Sequence, residues 1–362
     1  MGEKFSGSIH QILHGMYLTD AIANDAFEIQ KVLRSSGYKS DLFANLDYVC
    51  PECKNRVYDY KKYKDYSSPN NILIYHYATF SEVTDFVLNL PDKLILRYHN
   101  VTPPNYFELF NSHLKTEVKR GKNDVVRLRE KVCLTMAVSE FNNLDLETLG
   151  FKNTFVLPIV TDFEKFSQKY SKEIYKNFQD GFINILFVGR VAPNKKYEDL
   201  LKTFYYFNEI NPNSRLILVG SDNFSQEYYH YLQYVKRFLD LKNVIFTGTV
   251  PLSELISYYK ISNLFLCMSE HEGFCVPLVE AMYFGIPIIA YNSTGVPYTL
   301  NGAGILINQK KFQEIAELIN IVIKDISVRE KIIEGQKERL KYFEKKNIEK
   351  KLLEYIEIVK KN

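Results

Sequence analysis

The sequence predicts an α/β protein with two parallel-sheet domains that face a cleft. Its 362 residues are too many for one ordinary hydrophobic core, and 46% of them are apolar, enough to fill two. Apolar runs of strand length alternate with amphipathic segments in both halves, as in doubly wound sheets. Between the halves, the polar stretch from Phe166 to Gly181 has little strand pattern.

The strands are predicted from short apolar runs bounded by turn residues. In the first half they are Ile9–His14, Ile72–Ala78, Leu94–His99, Val132–Ser139 and Thr154–Ile159. In the second half they are Ile183–Val188, Arg215–Val219, Val244–Phe246, Leu264–Cys267, Ile286–Ala290 and Gly304–Ile307. We therefore expect an N-terminal domain at 1–165, a linker at 166–181, a C-terminal domain at 182–340 and an amphipathic helix at 341–362.

Composition excludes several classes of protein. A net charge of +3 without a long basic tract argues against nucleic-acid binding. No run reaches the roughly 18 apolar residues of a membrane span, and the N-terminus has no apolar core of signal-peptide length. We expect a cytoplasmic protein, either free or at the inner face of the membrane.

The five cysteines, an odd number in a large chain, fit a reducing compartment. Cys50 and Cys53 form a C-P-E-C motif, for which a metal or redox site and a plain turn are the two interpretations. No second cysteine pair or suitably spaced histidines follow, which favours the turn. We therefore assign no metal ligands.

The most informative stretch runs from Ser269 to Pro287 and sets Glu272 and Glu280 in apolar surroundings. An apolar strand precedes it, and Pro277 suits the start of a helix, so Glu272 is expected on a loop and Glu280 in the first helical turn. A buried carboxylate without a partner is costly, so we expect Glu280 to bind ligand hydroxyls. The amides of Gly273–Val276, at a helix N-terminus, can bind an anion or a sugar oxygen.

A second candidate region follows the strand at Ile183–Val188. Arg190 comes directly after it, and Lys195 precedes a helix that should begin near Tyr197. These cations either hold a diphosphate or are surface charges at a helix entry, and the strand-end position favours the diphosphate. The chain lacks G-x-G-x-x-G, the P-loop motif and a D-x-D after a strand, so the cations stand in for a metal ion.

Two further features have a functional and a structural interpretation. His99 ends an apolar strand before Pro103, so it either faces the cleft or is a structural histidine, and the strand end favours the cleft. His14 and His76 are taken as structural. The segment Leu109–Lys131 has a net charge of 7 − 3 = +4 and suits either weak contact with an anionic membrane or a solvated helix face. Gly121 interrupts its helical pattern and favours the solvated face.

Taken in order, these motifs resemble the family 4 retaining glycosyltransferases with the GT-B fold. The resemblance covers about residues 183–325 and rests on F-V-G-R, L-x-L-V-G-S, V-I-F-T-G-T-V, E-H-E-G-F-C-V-P-L-V-E-A-M and G-A-G-I-L-I. In the first half, R-Y-H-N, A-V-S-E and V-L-P-I-V-T-D are similar to family motifs. The fold implies a C-terminal helix that crosses back to the first domain.

The resemblance also implies roles for residues of the C-terminal domain. Arg190 and Lys195 would bind the diphosphate of a nucleotide-sugar donor and Glu280 the ribose hydroxyls. Glu272 would bind the transferred sugar. The other implied donor contacts are the amides of Gly273 and Phe274 for the sugar, Val250 for the nucleobase and His99 for the sugar from the opposite domain.

The chain departs from the family pattern at three places. The paired glycines of the first loop, whose backbone approaches the diphosphate, are replaced in T-D-A-I-A by Asp20 and Ala21. An Asn-Gly pair is replaced by Ile159-Val160. The third glycine position of E-G-F-G, within the donor-binding loop, is Cys275.

These observations predict a retaining glycosyltransferase of hexosyltransferase type that needs no metal and no cofactor. Retention in the family is ascribed to a front-face displacement in which the leaving phosphate takes the acceptor proton, so no enzyme nucleophile is assigned. The acceptor is a glycan, a lipid-linked molecule or a small molecule. The alternatives are another GT-B enzyme, such as a nucleotide-sugar epimerase, and an inactive nucleotide-sugar-binding regulatory subunit.

Overall fold

The computed structural model describes residues 5–17 and 20–361, and these form two compact units. Unit 1 contains the described residues up to Pro104, together with His113–Asp162 and the chain from Phe343 onward. Unit 2 contains Asn105–Ser112 and Phe163–Tyr342. The chain thus enters unit 2 briefly at 105–112, within the range assigned from the sequence to the N-terminal domain.

Unit 1 is built on a seven-stranded parallel sheet. Its strands are β1 (Ile9–Leu13), β2 (Leu42–Ala44), β3 (Tyr58–Asp59), β4 (Ile72–Tyr77), β5 (Lys93–Tyr98), β6 (Val132–Ala137) and β7 (Thr154–Val156). Its helices are α1 (Ala21–Ser35), α2 (Val83–Leu88), α3 (Ser112–Asp124), α4 (Glu140–Thr148) and α13 (Lys345–Lys361). The strand order is β3-β2-β1-β4-β5-β6-β7. Successive strands are therefore added on one side of β1 up to β3 and on the other side from β4 onward.

Unit 2 has a six-stranded parallel sheet of order β10-β9-β8-β11-β12-β13. Its strands are β8 (Ile183–Val188), β9 (Ser214–Val219), β10 (Val244–Gly248), β11 (Leu264–Cys267), β12 (Ile288–Tyr291) and β13 (Ile305–Ile307). Its helices are α5 (Lys172–Asn177), α6 (Tyr197–Ile210), α7 (Gln226–Phe238), α8 (Leu252–Ile261), α9 (Val276–Tyr283), α10 (Val296–Leu300), α11 (Phe312–Lys324) and α12 (Ile326–Leu340).

Single turns of 3-10 helix occupy several of the connections. They are Leu46–Tyr48, Pro51–Arg56, Tyr60–Asp65, Pro104–Phe107, Val125–Leu128, Glu164–Ser167, Pro193–Lys195 and Lys341–Phe343. Cys53 is buried in one of them, and burial raises the pKa of its thiol to about 12. Together with Cys50 it packs on the apolar cluster beneath β1 and β2, as expected for a structural turn.

Two parallel Rossmann-like sheets confirm the predicted fold class, and all eleven predicted strands are present. The sequence did not predict β2 and β3. They contain three and two residues, which is too short to show an alternating pattern. Their positions are set by pairing, β2 with β1 and β3 with β2.

The C-terminal helix returns to unit 1, as the fold class predicted. The apolar face of α13 consists of Ile348, Leu352, Ile356 and Val359, all fully buried. These side chains join one cluster with residues of β4, β5 and β6, including Ile74, Ile95 and Leu134. Burial of this face is what holds the helix, because each such side chain contributes roughly 1.5–3 kcal/mol when fully buried.

The sequence placed a linker at 166–181, whereas the structure assigns Phe163 and all residues after it, up to Tyr342, to unit 2. Phe166 is buried against the rings of Tyr283 and Phe284 at the end of α9. The short helix α5 packs on α8. The polar composition of this stretch did not indicate the packing, because only a few aromatic side chains make the contacts.

The expectation that Gly121 interrupts a helix is wrong. Gly121 lies within α3, where a Cβ atom would come 2.6 Å from the backbone nitrogen of Phe80. Glycine is needed there because the helix backbone passes close to the loop after β4. Among residues 5–17 and 20–361, no helix combines the length and apolarity that crossing a membrane requires.

Candidate functional site

The sheet of unit 2 reverses its strand order between β8 and β11, and ligands of doubly wound sheets bind at such a point. Two loops leave the sheet there, one after each strand. Two hydrogen bonds of 2.9 Å join them: the Asn194 side chain donates to the His271 carbonyl, and the Glu270 amide donates to the Asn194 carbonyl. The residues predicted for the site in unit 2 lie mainly on these loops.

Arg190 lies at the exposed end of β8. Its guanidinium carbon is 4.9 Å from the centre of the Phe224 ring, and no ion pair engages it within the described ranges. The preceding backbone is fixed by Gly220, whose φ is +149° and where a Cβ atom would meet the Gly189 carbonyl. Tyr197 also donates a hydrogen bond to that carbonyl. Arg190 is therefore an exposed cation that follows a backbone segment of fixed conformation.

Lys195 and Glu272 form an ion pair across the two loops. Their Nζ and Oε2 atoms are 2.5 Å apart, and the side chains are 20% and 6% exposed. The sequence predicted both residues for the site but did not predict that they pair. The lysine reaches solvent, so a ligand anion can compete for it.

The Glu272 loop is held by a segment that sequence reasoning missed. Thr294 accepts a hydrogen bond from the Glu272 amide at 2.8 Å and donates one to the Glu272 carbonyl at 3.0 Å. It does so with φ of +44°, an unusual conformation for a β-branched residue. Gly295 follows, and a Cβ atom there would lie 2.7 Å from the same carbonyl. The S-T-G sequence after β12 was the available signal.

Glu280 is the fifth residue of α9, so the expectation that it lies in the first turn is wrong by one turn. The expectation that the protein offers it no partner is also wrong. Tyr259 donates a hydrogen bond of 2.7 Å to Oε2, and the Lys165 ammonium is 3.6 Å from Oε1. Burial and the nearby carboxylate raise the pKa of Tyr259 well above its ordinary value, so it stays a donor.

The loop between β11 and α9 ends at an uncapped helix. Cys275 is the N-cap residue with φ of +69°, and no side chain caps the helix. The Phe274 carbonyl is fixed by the Thr299 hydroxyl, and Gly273 precedes it in the loop. The amide dipoles of an eight-residue helix thus point toward the loop that holds Glu272. Val250, predicted near a nucleobase, is half-buried in the turn after β10.

In unit 1, His99 directly follows β5, but its side chain is only 4% exposed. Gln11 donates to the Ala26 carbonyl, so its oxygen faces His76 Nε2 at 2.9 Å. His76 must then carry its proton on Nε2 and accept at Nδ1 from His99 Nε2, 3.1 Å away. His99 Nδ1 is left as a buried acceptor without a partner in the described part of unit 1.

The two histidines are uncharged. Burial, and after it the nearby Arg97 guanidinium, lowers the pKa of both His76 and His99 well below the ordinary range. Arg97 is itself fully buried and bound to Asp25, with Nε and Oδ2 2.8 Å apart. The contact of His99 with a sugar stays a prediction, and His76, taken as structural, is its hydrogen-bonding partner.

The first loop of unit 1 is described only in part, because Thr19 lies outside the described residues. Asp20 caps α1, accepting a hydrogen bond of 3.4 Å from the Ile22 amide, and Ala21 begins that helix. The bulky pair Ile159-Val160 is buried, and the Val160 amide donates 2.9 Å to Asp25. This departure from the family pattern therefore fills the core of unit 1.

Residues 171–339 match the family model described as glycosyl transferases group 1. These residues make up most of unit 2, which is therefore similar to the group 1 glycosyl transferases. Among curated relatives, the capsular polysaccharide biosynthesis glycosyltransferase CapM of Staphylococcus aureus is 29% identical to this chain over 253 residues, 63% of each chain. The O-antigen chain mannosyltransferase B of Escherichia coli is 23% identical over 76% of this chain and 70% of its own. The match thus spans somewhat less than two thirds of CapM.

Solved structures confirm that this chain has the GT-B fold. Anabaena HepE, crystallised with UDP and glucose, has a TM-score of 0.74 at 16% identity, covering 97% of this chain and 99% of its own. WaaG, a glycosyltransferase involved in lipopolysaccharide biosynthesis, has a TM-score of 0.74 at 12% identity, covering 96% and 99%. At such identities the likeness establishes the fold alone.

Proposed function

We propose that the protein transfers a hexose-type sugar from a nucleotide diphosphate sugar to an acceptor with retention of configuration and without a metal ion. The observation that carries the proposal is the Lys195–Glu272 ion pair at the switch point of a group 1 glycosyl transferase domain. The lysine of this pair reaches solvent, so a ligand has access to it. A donor can therefore take both halves, its phosphate binding Lys195 and its sugar hydroxyls donating to Glu272.

The diphosphate is the leaving group of the proposed reaction. The bond between the anomeric carbon and the phosphate oxygen breaks, and its electron pair stays on the diphosphate. Arg190 and Lys195 stabilise this developing charge, which a preformed cationic site does at little reorganisation cost. The acceptor oxygen bonds to the anomeric carbon from the same face, and its proton passes to the leaving phosphate oxygen. No enzyme nucleophile takes part.

The remaining donor contacts follow from the loop geometry. Glu280 is oriented by Tyr259 and accepts hydrogen bonds from the ribose hydroxyls. Its second oxygen is 3.6 Å from the ammonium of Lys165, whose partly exposed side chain can yield to a ligand. Further contacts are proposed for the Gly273 and Phe274 amides and the Cys275 cap at the sugar, Val250 at the base, and His99, Asp20 and Ala21 from unit 1.

The acceptor is proposed to be a glycan or a lipid-linked glycan. CapM is named for capsular polysaccharide biosynthesis, and a Campylobacter jejuni relative, 29% identical over 49% of this chain, is named as a transferase acting on an undecaprenol-linked glycan. Such an acceptor would bring the enzyme to the cytoplasmic membrane face. Exposed basic side chains on α3, among them Lys119 and Lys122, are suited to weak contact with anionic lipid.

Single substitutions Arg190→Ala and Glu272→Ala test the proposal. We expect each to lower kcat/KM for transfer, or for donor hydrolysis, by about 100-fold or more, the size of effect seen when one charge-stabilising group is removed. Arg237→Ala is the matched control, because Arg237 is an exposed cation at the far end of α7 with no role in the site. Unchanged rates in both site variants would overturn the assignment.

Two further measurements separate the parts of the proposal. NMR of the product should show the anomeric configuration of the donor, and an inverted product would reject retention. A chelator should not lower the rate, and a loss restored by a divalent cation would reject metal independence. Calorimetry that detects nucleotide-sugar binding without turnover on any acceptor would instead identify a regulatory subunit.

A further inference from the structure

Two clusters of buried side chains in the described residues bring potential metal ligands within 4.8 Å of one another. The first, in unit 1, consists of Asp25, His76 and His99. There the Arg97 guanidinium already occupies both carboxylate oxygens of Asp25, at 2.8 and 3.2 Å. A metal ion would have to displace a fully buried cation, so this cluster is closed to one.

The second cluster, in unit 2, consists of Cys267, Cys275 and Glu272. Cys267 ends β11, and its thiol donates 3.4 Å to the Ser269 hydroxyl. Cys275 is the cap of α9, and its thiol is hydrogen-bonded to that of Cys267, which raises the pKa of Cys275 well above its ordinary value. The only cation paired with this cluster in the described chain is the partly exposed Lys195.

We propose that Cys267, Cys275 and Glu272 bind one thiophilic divalent cation, of which Zn²⁺ is the representative. Two thiolates and a carboxylate are a ligand set that Zn²⁺ favours, and a three-ligand site leaves its fourth position to water. Binding releases the two thiol protons to solvent. The charges are −3 for the ligands and +2 for the ion, so the site carries −1 opposite the +1 of Lys195.

The cation would act as an inhibitor and not as a cofactor. It takes Glu272, which the proposed function assigns to the transferred sugar, and it ties the α9 cap to the end of β11. Both changes make groups of the loop between β11 and α9 unavailable to the donor. This inhibitory consequence rests on the proposed function, whereas the binding of the metal does not.

Titration with Co²⁺ tests the binding directly, because thiolate coordination gives a near-ultraviolet charge-transfer band. We expect one equivalent of Co²⁺ to give that band in the full-length protein and Zn²⁺ to abolish it by displacement. The variant Cys50→Ser/Cys53→Ser/Cys133→Ser removes the three cysteines of unit 1 and should keep the band. Cys267→Ser and Cys275→Ser should each lose it, and Glu272→Gln should weaken binding by at least about tenfold, as even outer-shell changes do.

Cys275→Gly guards against a folding failure, because glycine tolerates the positive φ at this position. If circular dichroism shows this variant folded and it retains the full Co²⁺–thiolate band, the proposal is overturned. Loss of the band in the variant without Cys50, Cys53 and Cys133 would also overturn the proposal, because the ion would then be bound in unit 1.

An activity measurement distinguishes the two proposals. Zn²⁺ should inhibit transfer and a chelator should restore it, with the inhibition absent in Cys267→Ser. If Co²⁺ and Zn²⁺ bind the cluster but transfer is unaffected, the metal site stands and the assignment of Glu272 to the sugar fails. If Glu272→Ala abolishes transfer while no metal binds, the proposed function stands and the metal site is rejected.

Discussion

The buried charges of unit 1 and those of unit 2 are arranged in opposite ways. In unit 1, Arg97 and Asp25 are both fully buried, and the guanidinium also donates to the carbonyls of Leu157 and Pro158. In unit 2, the carboxylates of Glu272 and Glu280 are buried, but each is paired with a lysine that reaches solvent. The first arrangement is closed to solvent and the second can exchange partners.

This difference separates a structural network from a binding site. Opening the pair of unit 1 leaves an uncompensated charge in the interior. In unit 2 a ligand can reach the partly exposed lysines and can itself supply the hydrogen bonds that the buried carboxylates would lose. The network of unit 1 therefore holds β5 against α1 and the segment after β7. The pairs of unit 2 hold two carboxylates in place while leaving them available to a ligand.

The largest effect is expected from Arg97→Met. This change leaves Asp25 buried without its cation, so unit 1 should lose about 3–5 kcal/mol of stability. Denaturant unfolding followed by hydrogen exchange of unit 1 peptides measures it. The matched control is Arg129→Met, which breaks the exposed pair with Glu130 and should cost less than about 1 kcal/mol.

The double variant Arg97→Met/Asp25→Leu sharpens this test. Removal of both charges leaves an apolar contact, so much of the lost stability should return. If the double variant is as unstable as Arg97→Met, the cost arises from the carbonyls that Arg97 served and not from the stranded carboxylate.

Acid should destabilise unit 1 first. Burial lowers the pKa of His10 and His14 and holds the pKa of His76 and His99 well below the ordinary value of about 6.5, so all four residues bind protons more readily in the unfolded chain than in the folded one. Their contribution is complete above pH 6.5 and falls as the pH drops below it, by up to about 1.4 kcal/mol per pH unit for each. Hydrogen exchange between pH 7 and 5 measures the onset.

The variant His76→Gln tests the origin of this dependence. Glutamine can donate to Gln11 and accept from His99 without titrating. The decrease in the free energy of unfolding per pH unit should therefore become smaller by the contribution of one histidine. In unit 2, Asp180 has its pKa lowered by Arg215, so its contribution is lost only in more acidic solution. Unit 1 amides whose protection, taken relative to the intrinsic exchange rate at each pH, is as high at pH 5 as at pH 7 would contradict the prediction.

The smallest change in stability is expected from Thr294→Gly. Glycine relieves about 1–2 kcal/mol of backbone strain and loses two hydrogen bonds of about 1 kcal/mol each, so the net change should be near zero. The Glu272 loop loses its support, and transfer should slow about tenfold or more. Asn301→Gly is the control, because Asn301 is an exposed residue with φ of +46°. Full activity of the Thr294→Gly variant would show that the Glu272 loop keeps its conformation without Thr294.

The positions of most strands along the chain could be predicted, because apolar runs mark strands. The loop positions of Arg190, Lys195 and Glu272 could also be predicted, because polar residues at strand ends mark loops. The partners of the carboxylates could not. Tyr259 lies 21 residues before Glu280 on a helix whose pattern gives no sign of which face meets α9. The burial of His99 was also missed, because a strand-end position does not state which way a side chain points.

The sequence by itself determined two parallel-sheet domains, the loops that follow their strands and the residue types that can bind a diphosphate and a sugar. These follow from periodicity and from chemistry that each residue carries wherever it lies. Only the tertiary structure decided that Lys195 pairs with Glu272, 77 residues away, and that Cys267 meets Cys275 beside them. Such contacts depend on how β8 and β11 lie next to each other in the sheet, and local sequence patterns do not encode that distance.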